Sequence, residues 1–259
     1  MNEIEKSQNI DNKIGKIFLC GAGPGDPKLL TVRAMDLINE SDVILYDRLI
    51  GKDIVKLFPH STEKVYVGRN IGDPTEHQNK TNELMLHYAK KQKKVLRLKG
   101  GDPFIFGRGG EEAEFLKSNN VPFEIIPGIT SGIGAAIYSG IPLTHRKFSS
   151  AVAFVTGHED PEKKTPAVKW EKLFDAVDTV VIYMGTEKLD IIIEKIRKGN
   201  NSRKKKVAVI ENGTLKNQRI IKGELEDIVE KVKQECIKPP AIVIIGDTVE
   251  LNNTISWHQ

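Results

Sequence analysis

The chain has 259 residues, with 39 Lys and Arg against 35 Asp and Glu, giving a formal net charge of +4; 39% of residues are hydrophobic and 29% charged. That balance suits a globular protein with one large domain or two smaller ones and argues against disorder, collagen or coiled coil. No apolar run approaches the roughly 18 residues a membrane helix needs, the small dispersed charge gives no nucleic-acid footprint, and Cys20 and Cys236 form no C-x-x-C pair, so both read as buried thiols in a reducing cytoplasm.

The first fourteen residues carry Glu3, Glu5, Lys6, Asp11 and Lys13 without an apolar core; they read as a flexible tail and not as a secretory signal. From there short apolar runs alternate with amphipathic stretches. Strands are expected at Lys16–Cys20, Val43–Tyr46, Lys64–Val67, Val95–Leu98 and Phe123–Ile126, with helices at Lys28–Asn39, from about His77 to Lys91, and at Glu111–Lys117. Strand, helix and strand in repetition require crossovers, and crossovers make a parallel sheet. The loop Gly140–Phe148 breaks this rhythm, which divides the chain into an α/β domain over 15–145 and a second over 146–259. In the second, strands are expected at Val152–Val155, Thr179–Tyr183, Val207–Ile210, Gln218–Lys222 and Ala241–Ile245, with helices at Glu171–Val177, Leu189–Lys198 and Glu224–Glu235. Gln218–Lys222 follows the turn at Asn212–Thr214 too closely for a crossover, so that pairing is antiparallel and the second sheet is mixed.

The unusual segments fall in equivalent places. Gly21-Ala-Gly-Pro-Gly-Asp26, Tyr46-Asp-Arg48, Val67-Gly-Arg69, Gly100-Gly-Asp-Pro103 and Pro127-Gly-Ile-Thr-Ser131 each end or follow one of the first five strands. In a parallel sheet they share the carboxyl edge, where open α/β folds bind ligands. Tyr183-Met-Gly185 and Glu211-Asn-Gly-Thr214 take corresponding places in the second half, so a cleft between two edges is expected. Gly21-x-Gly23 opens a dinucleotide fingerprint, and Asp47 sits near its ribose-binding position. The third glycine is replaced by Asp26, however, which leaves an oxidoreductase as a minor alternative. Gly100-Gly-Asp-Pro-Phe-Ile-Phe-Gly-Arg-Gly-Gly110 is the more informative string, because its glycines let backbone approach a ligand closely.

Together GAGPGDP, YDR, LKGGDPFIFGRGGEE, PGITS, GIPLTHR, VTGH, YMG and ENGT resemble the uroporphyrinogen-III C-methyltransferases, S-adenosylmethionine (SAM) dependent tetrapyrrole methylases, from about Ile17 to Val249. The resemblance implies two α/β domains around a cleft, a homodimer, and methylation of uroporphyrinogen III at C2 and C7 to give precorrin-2 for sirohaem and cobalamin; methylation of a later precorrin is the alternative within the family. It implies no metal, and S-adenosylhomocysteine as by-product. At 259 residues there is no room for an added oxidase or chelatase domain, so the likeness is to the stand-alone enzyme. Carried onto matching positions, the SAM contacts are Pro24, Gly100, Gly101, Asp102, Ile105, Thr130, Ser131, Met184 and Gly213, and Asp47 is the proton acceptor. Asp47 has an alternative as a strand-end carboxylate paired with Arg48. A polycarboxylate substrate calls for guanidinium groups, and Arg48, Arg69, Arg108 and Arg146 lie in or beside the edge motifs. His145 reads as a hydrogen-bonding residue. Two places depart from the family pattern. Arg69 replaces the usual Lys, and arginine stays protonated, so it suits carboxylate binding better than proton donation. The loop Asp73-Pro-Thr-Glu-His-Gln78 keeps Gln78 and Asn82 but carries His77 where Pro is usual.

Overall fold

The computed structural model describes residues 14–68, 76–158, 168–199 and 205–258, with the side chains of 76–78 outside that set. The expected tail, Arg69 and the 73–78 loop up to Gln78 therefore lie outside the described side chains. The apolar runs form β1 (Ile17–Gly21), β2 (Val43–Tyr46), β3 (Glu63–Tyr66), β4 (Val95–Lys99) and β5 (Phe123–Ile126), in the spatial order β3-β2-β4-β1-β5 and parallel throughout. Between them run α1 (Val32–Glu40), α2 (Lys52–Val55), α3 (Glu76–Lys90) and α4 (Gly109–Ser118). Odd and even strand positions face opposite layers. Phe18, Cys20, Ile44, Leu96 and Leu98 pack on Leu37 and Ile38 of α1, whereas Ile17, Leu19, Val43, Leu45 and Val95 pack on Met85 of α3 and Leu116 of α4.

The expected helix at 28–39 starts later. Pro27–Leu29 is a 3-10 turn, and Thr31 caps α1 by accepting from the Ala34 amide at 3.1 Å, which leaves Leu30 outside it. Helix α5 (Ser131–Tyr138) is not among the expected elements. Two glycines argue against a helix by propensity, yet packing demands them. A Cβ on Gly132 would lie 2.4 Å from the Tyr183 hydroxyl, and one on Gly134 would lie 2.5 Å from Pro24.

The second sheet holds β6 (Val152–Thr156), β7 (Thr179–Tyr183), β8 (Lys206–Glu211), β9 (Arg219–Glu224) and β10 (Ala241–Ile245) in the order β6-β7-β10-β8-β9. β6 and β7 are parallel; β9 pairs antiparallel with β8, as the short turn requires, and β10 runs antiparallel to both β7 and β8. Since β7 and β8 both oppose β10, they point the same way, and Met184 and Gly213 leave from one edge. The helices α6 (Leu173–Ala176), α7 (Leu189–Arg197), α8 (Ile228–Gln234) and α9 (Asn252–Ile255) complete this half. Trp170–Lys172 is a 3-10 turn, so the helix expected at 171–177 is shorter. The helix expected from Glu224 begins only at Ile228, because β9 continues through Glu224, whose amide is held by the Asp227 carboxylate at 2.8 Å.

Ala135, Ala136 and Ile141 share a core with Val181, Tyr183, Ile210 and Ile244. Helix α5 thus covers the second sheet although it precedes the 145/146 division expected from the sequence. Cys20 is fully buried in β1, whereas Cys236 is exposed, correcting the expectation that both thiols are covered. Among the described residues no helix is long and apolar enough to cross a membrane, and no group of three His, Cys, Asp or Glu side chains could hold a metal ion.

Candidate active site

The strand order places β1 beside β4, while α1 and α4, which follow them, cover opposite faces of the sheet. In doubly wound folds such a divergence opens a crevice that takes a dinucleotide. Here the two turns are joined: the Gly101 amide donates to Gly23 at 2.7 Å and the Gly23 amide to Gly101 at 3.1 Å. The turn after β5 is tied in as well, because the Asp102 carboxylate accepts from the Gly128 amide at 3.0 Å and the Phe104 amide at 2.8 Å. Asp26, at the damaged fingerprint position, has a structural task. Its carboxylate accepts from Tyr138 Oη at 2.8 Å and the Lys28 amide at 2.9 Å, and its own amide donates to Thr214 at 3.2 Å. That knot fastens the first turn to α5 and to the turn after β8, and a crevice zipped in this way disfavours the dinucleotide alternative.

The residues assigned to SAM by resemblance come together around these turns. Thr130 is buried and shares a 2.7 Å hydrogen bond with Tyr183 Oη, which also accepts from the Gly132 amide at 3.0 Å. Tyr183 is the last residue of β7, so this contact brings Ser131 and Met184 close. The ring of Phe106 lies 4.9 Å from that of Tyr183, which brings Ile105 to the same place. Gly213 lies against Ala135 of α5, where a Cβ would approach to 2.5 Å, and Gly134 meets Pro24 on the same helix. An adenosyl sulfonium needs an apolar slot edged by backbone polar groups. Half-exposed Ile105 and Met184 beside the glycine turns fit it, and Gly101, at φ +70°, leaves room where a side chain would stand, with nothing nearer than 3.6 Å to an added Cβ.

Sequence reading gave no hint of one property. Phe106, Met184, Asn212 and Thr214 all have left-handed backbones, with φ between 51° and 70°. Such geometry costs of order 1–3 kcal/mol per non-glycine residue and concentrates at functional sites.

Asp47 directly follows β2 in the YDR motif at the same edge, and Leu49, two residues on, lies on Gly100, whose Cβ would approach it to 2.8 Å. Its partner is not Arg48. Arg97 of β4 donates from Nη2 to Asp47 Oδ1 at 2.7 Å and from Nε to Glu112 of α4 at 3.1 Å, and Lys99 Nζ stands 2.9 Å from the Glu112 carboxylate. Arg97, Lys99 and Glu112 are 5, 4 and 0% exposed at the side chain, against 26% for Asp47. Burial works against the Arg97 charge, yet the two carboxylates outweigh it and hold Arg97 above its ordinary range. Burial followed by the neighbouring Arg97 lowers Lys99. Burial would raise Glu112, but Arg97 and Lys99 outweigh it and keep it ionised. The signal was present in the sequence: Val-Leu-Arg-Leu-Lys sets two cations two apart on one face of a central strand, and Glu111-Glu112 follows at a helix start.

The remaining arginines are dispersed. Arg48 is exposed beside Asp47. Arg108 is half-exposed and paired with Glu111 at 3.1 Å. Arg146 is exposed in a turn closed by backbone hydrogen bonds between His145 and Ser149, whose hydroxyl reaches Thr179 at 2.8 Å. Thr179 opens β7 and Tyr183 ends it, so at about 3.3 Å per residue this anchor lies on the order of 13 Å from the Met184 edge. These contacts do not bring Arg146 to the other site residues. His145 accepts the Lys147 amide on Nδ1 at 3.2 Å, the hydrogen-bonding part expected of it.

Two five-stranded sheets that meet at their carboxyl edges, with a glycine-rich cradle between them, define an α/β protein of the kind that holds a small molecule at that edge. Residues 16–229 match the Tetrapyrrole (Corrin/Porphyrin) Methylases. The chain belongs to that family, as the motifs imply. The S-adenosyl-L-methionine-dependent uroporphyrinogen III methyltransferase of Methanosarcina barkeri is 46% identical over 241 residues, 93% of this chain and 94% of that one. The uroporphyrinogen-III C-methyltransferase of Priestia megaterium is 46% identical over 239 residues, covering 92% and 100%. Among solved structures, the uroporphyrin-III C-methyl transferase of Thermus thermophilus complexed with S-adenyl homocysteine has a TM-score of 0.77 at 37% identity, covering 92% of this chain and all of that one.

Proposed function

We propose that this chain methylates uroporphyrinogen III at C2 and then C7, with SAM as the methyl donor, giving precorrin-2. The convergence of the Gly100–Asp102, Thr130–Ser131, Met184 and Gly213 turns on one edge, with Asp47 beside them, carries the reading. Relatives of nearly equal length that bear this activity in their names support it. SAM supplies an electrophilic methyl on a sulfonium. The protein's share is to hold that methyl against a pyrrole carbon, and orientation of this kind recovers about 7–11 kcal/mol of barrier. Carbon–methyl bond formation leaves the macrocycle with one proton in excess. Asp47 accepts it, a contribution typically worth about 10²–10⁴-fold. Arg48, Arg69 and Arg108 bind substrate carboxylates in this reading. Its biological setting is the cytoplasm, the protein a homodimer, and the 15–145 and 146–259 segments act as two units about the cleft; sedimentation tests the dimer.

The test is anaerobic incubation with uroporphyrinogen III and SAM, followed by product mass. A gain of two methyl groups is expected, and Asp47→Asn should abolish most turnover while SAM still titrates into the protein. Failure of SAM to bind the wild-type chain overturns the reading; unchanged turnover in Asp47→Asn removes that residue from the mechanism.

A further inference from the structure

Four ionisable groups are linked in one file of ion pairs: Asp47 after β2, Arg97 on β4, Glu112 on α4 and Lys99 at the end of β4, with formal charges that alternate and cancel. Stability does not explain this file. Taking ions out of water is costly, and replacing a buried ion pair by apolar residues is often neutral or stabilising. The file also has one outlet, since only Asp47 keeps appreciable exposure. Arg97 occupies one carboxylate oxygen, Oδ1. Its Nη1 is spent on the Leu98 carbonyl at 3.3 Å and its Nε on Glu112, so the guanidinium has no freedom to swing.

We propose that Arg97 and Glu112 are positioning residues that clamp Asp47 by Oδ1, turn Oδ2 to the cleft, and share the guanidinium charge so that Asp47 can take a proton. This rests on the reading of Asp47 as proton acceptor. An arginine paired with one carboxylate alone would hold that carboxylate ionised and make it a poor base. Glu112 draws on the same guanidinium from the other side, and Lys99 balances Glu112. Among the described residues, the charged groups around Asp47 are Arg97 and Lys99 from β4, Glu112 from α4 and exposed Arg48 on its own loop; the buried residues of α3, Thr81, Asn82 and Met85, bring no charge.

The test compares kcat against pH for wild type, Asp47→Asn, Arg97→Lys, Glu112→Gln and Lys99→Met, with circular dichroism and SAM titration on each. Glu112→Gln removes a negative charge near Asp47, so the acid limb of kcat should move to lower pH; Lys99→Met removes a positive one and should move it higher, each by about one pH unit. Arg97→Lys cannot span both carboxylates, and kcat should fall roughly 10²-fold while SAM affinity is kept. Opposite displacements from two substitutions at one node do not follow from loosened packing. Folded Glu112→Gln and Lys99→Met proteins whose profiles superimpose on wild type, with Asp47→Asn inactive, would overturn the proposal and leave the base intact. Active Asp47→Asn would instead remove the base reading. If Glu112→Gln does not fold, the Lys99→Met displacement and the Arg97→Lys loss decide alone, and absence of both overturns the proposal.

Discussion

The two carboxyl edges that meet at the glycine turns are furnished differently. Behind the edge of the parallel sheet lie buried charges, Arg97, Lys99 and Glu112, aimed at one carboxylate. Behind the edge of the mixed sheet lie hydroxyls and backbone amides: Tyr183 with Thr130 and Gly132, and Thr214 with the Asp26 amide. Burial holds the Tyr183 phenol above its ordinary range even though its hydrogen bonds act the other way. In the proposed function the contrast separates two tasks. Moving a proton needs ionised groups, which must be paired and held rigidly when buried. Shaping a slot for a cofactor needs neutral groups whose loss deforms the backbone without leaving an unpaired charge.

The meeting of the turns is the most sensitive point. A Cβ on Gly128 would lie 2.3 Å from the Gly101 carbonyl and 2.8 Å from Gly21, contacts with backbone and not with a movable side chain. Gly128→Ala should therefore force apart the turns after β1, β4 and β5, lowering stability by about 3 kcal/mol and SAM affinity with it. Urea midpoints and SAM titration read both. An alanine protein with wild-type affinity would mean that the zipped crevice does not shape the slot.

On the other edge the expected loss is smaller. Tyr183→Phe keeps the ring against Phe106 and deletes the hydroxyl, stranding the Gly132 amide and the Thr130 hydroxyl in a buried place. Leaving such groups unpaired costs about 1–3 kcal/mol. The substitution should weaken SAM binding and leave the pH dependence of kcat where it is, since no ionised group is touched. A displaced acid limb in Tyr183→Phe would erase the division between the two edges.

How far these edges were legible in the sequence follows the same division. The five parallel strands, the antiparallel β9 and the shared edge of the glycine turns could be read from apolar runs and loop lengths, because strand period and crossover length are local. Helix α5 could not, since Gly132 and Gly134 oppose a helix locally and are explained only by Tyr183 and Pro24, distant in sequence. For Asp47 the sequence suggested its neighbour Arg48, but the fold supplies Arg97, 50 residues on, because β4 inserts between β2 and β1. Spatial order of strands is a tertiary property. Arg146 marks the converse: a motif adjacent in sequence to the second sheet whose anchor lies at the opposite end of β7.

The two halves are also joined by a phenol–carboxylate contact that alkaline pH can break. Tyr138 of α5 donates to Asp26, and burial, then that hydrogen bond and the Asp26 charge, push its phenol up from 10.0 to about 12. The folded state therefore holds the phenolic proton more tightly than the unfolded chain does. The resulting stability is complete below pH 10 and is lost as pH rises from there towards about 12. Tyr88, hydrogen-bonded to Glu63, is pushed up to about 12 as well, so the total alkaline loss is shared and only a difference between proteins isolates Tyr138. Tyr138→Phe should be less stable than wild type by about 1 kcal/mol at neutral pH. The gap between their urea midpoints should then close above pH 10, because the wild-type contact is ionising away while the phenylalanine has nothing to lose. A gap that stays constant up to pH 11 would mean the Tyr138–Asp26 contact contributes through packing alone, and that the two edges are held together by the Gly134–Pro24 approach instead.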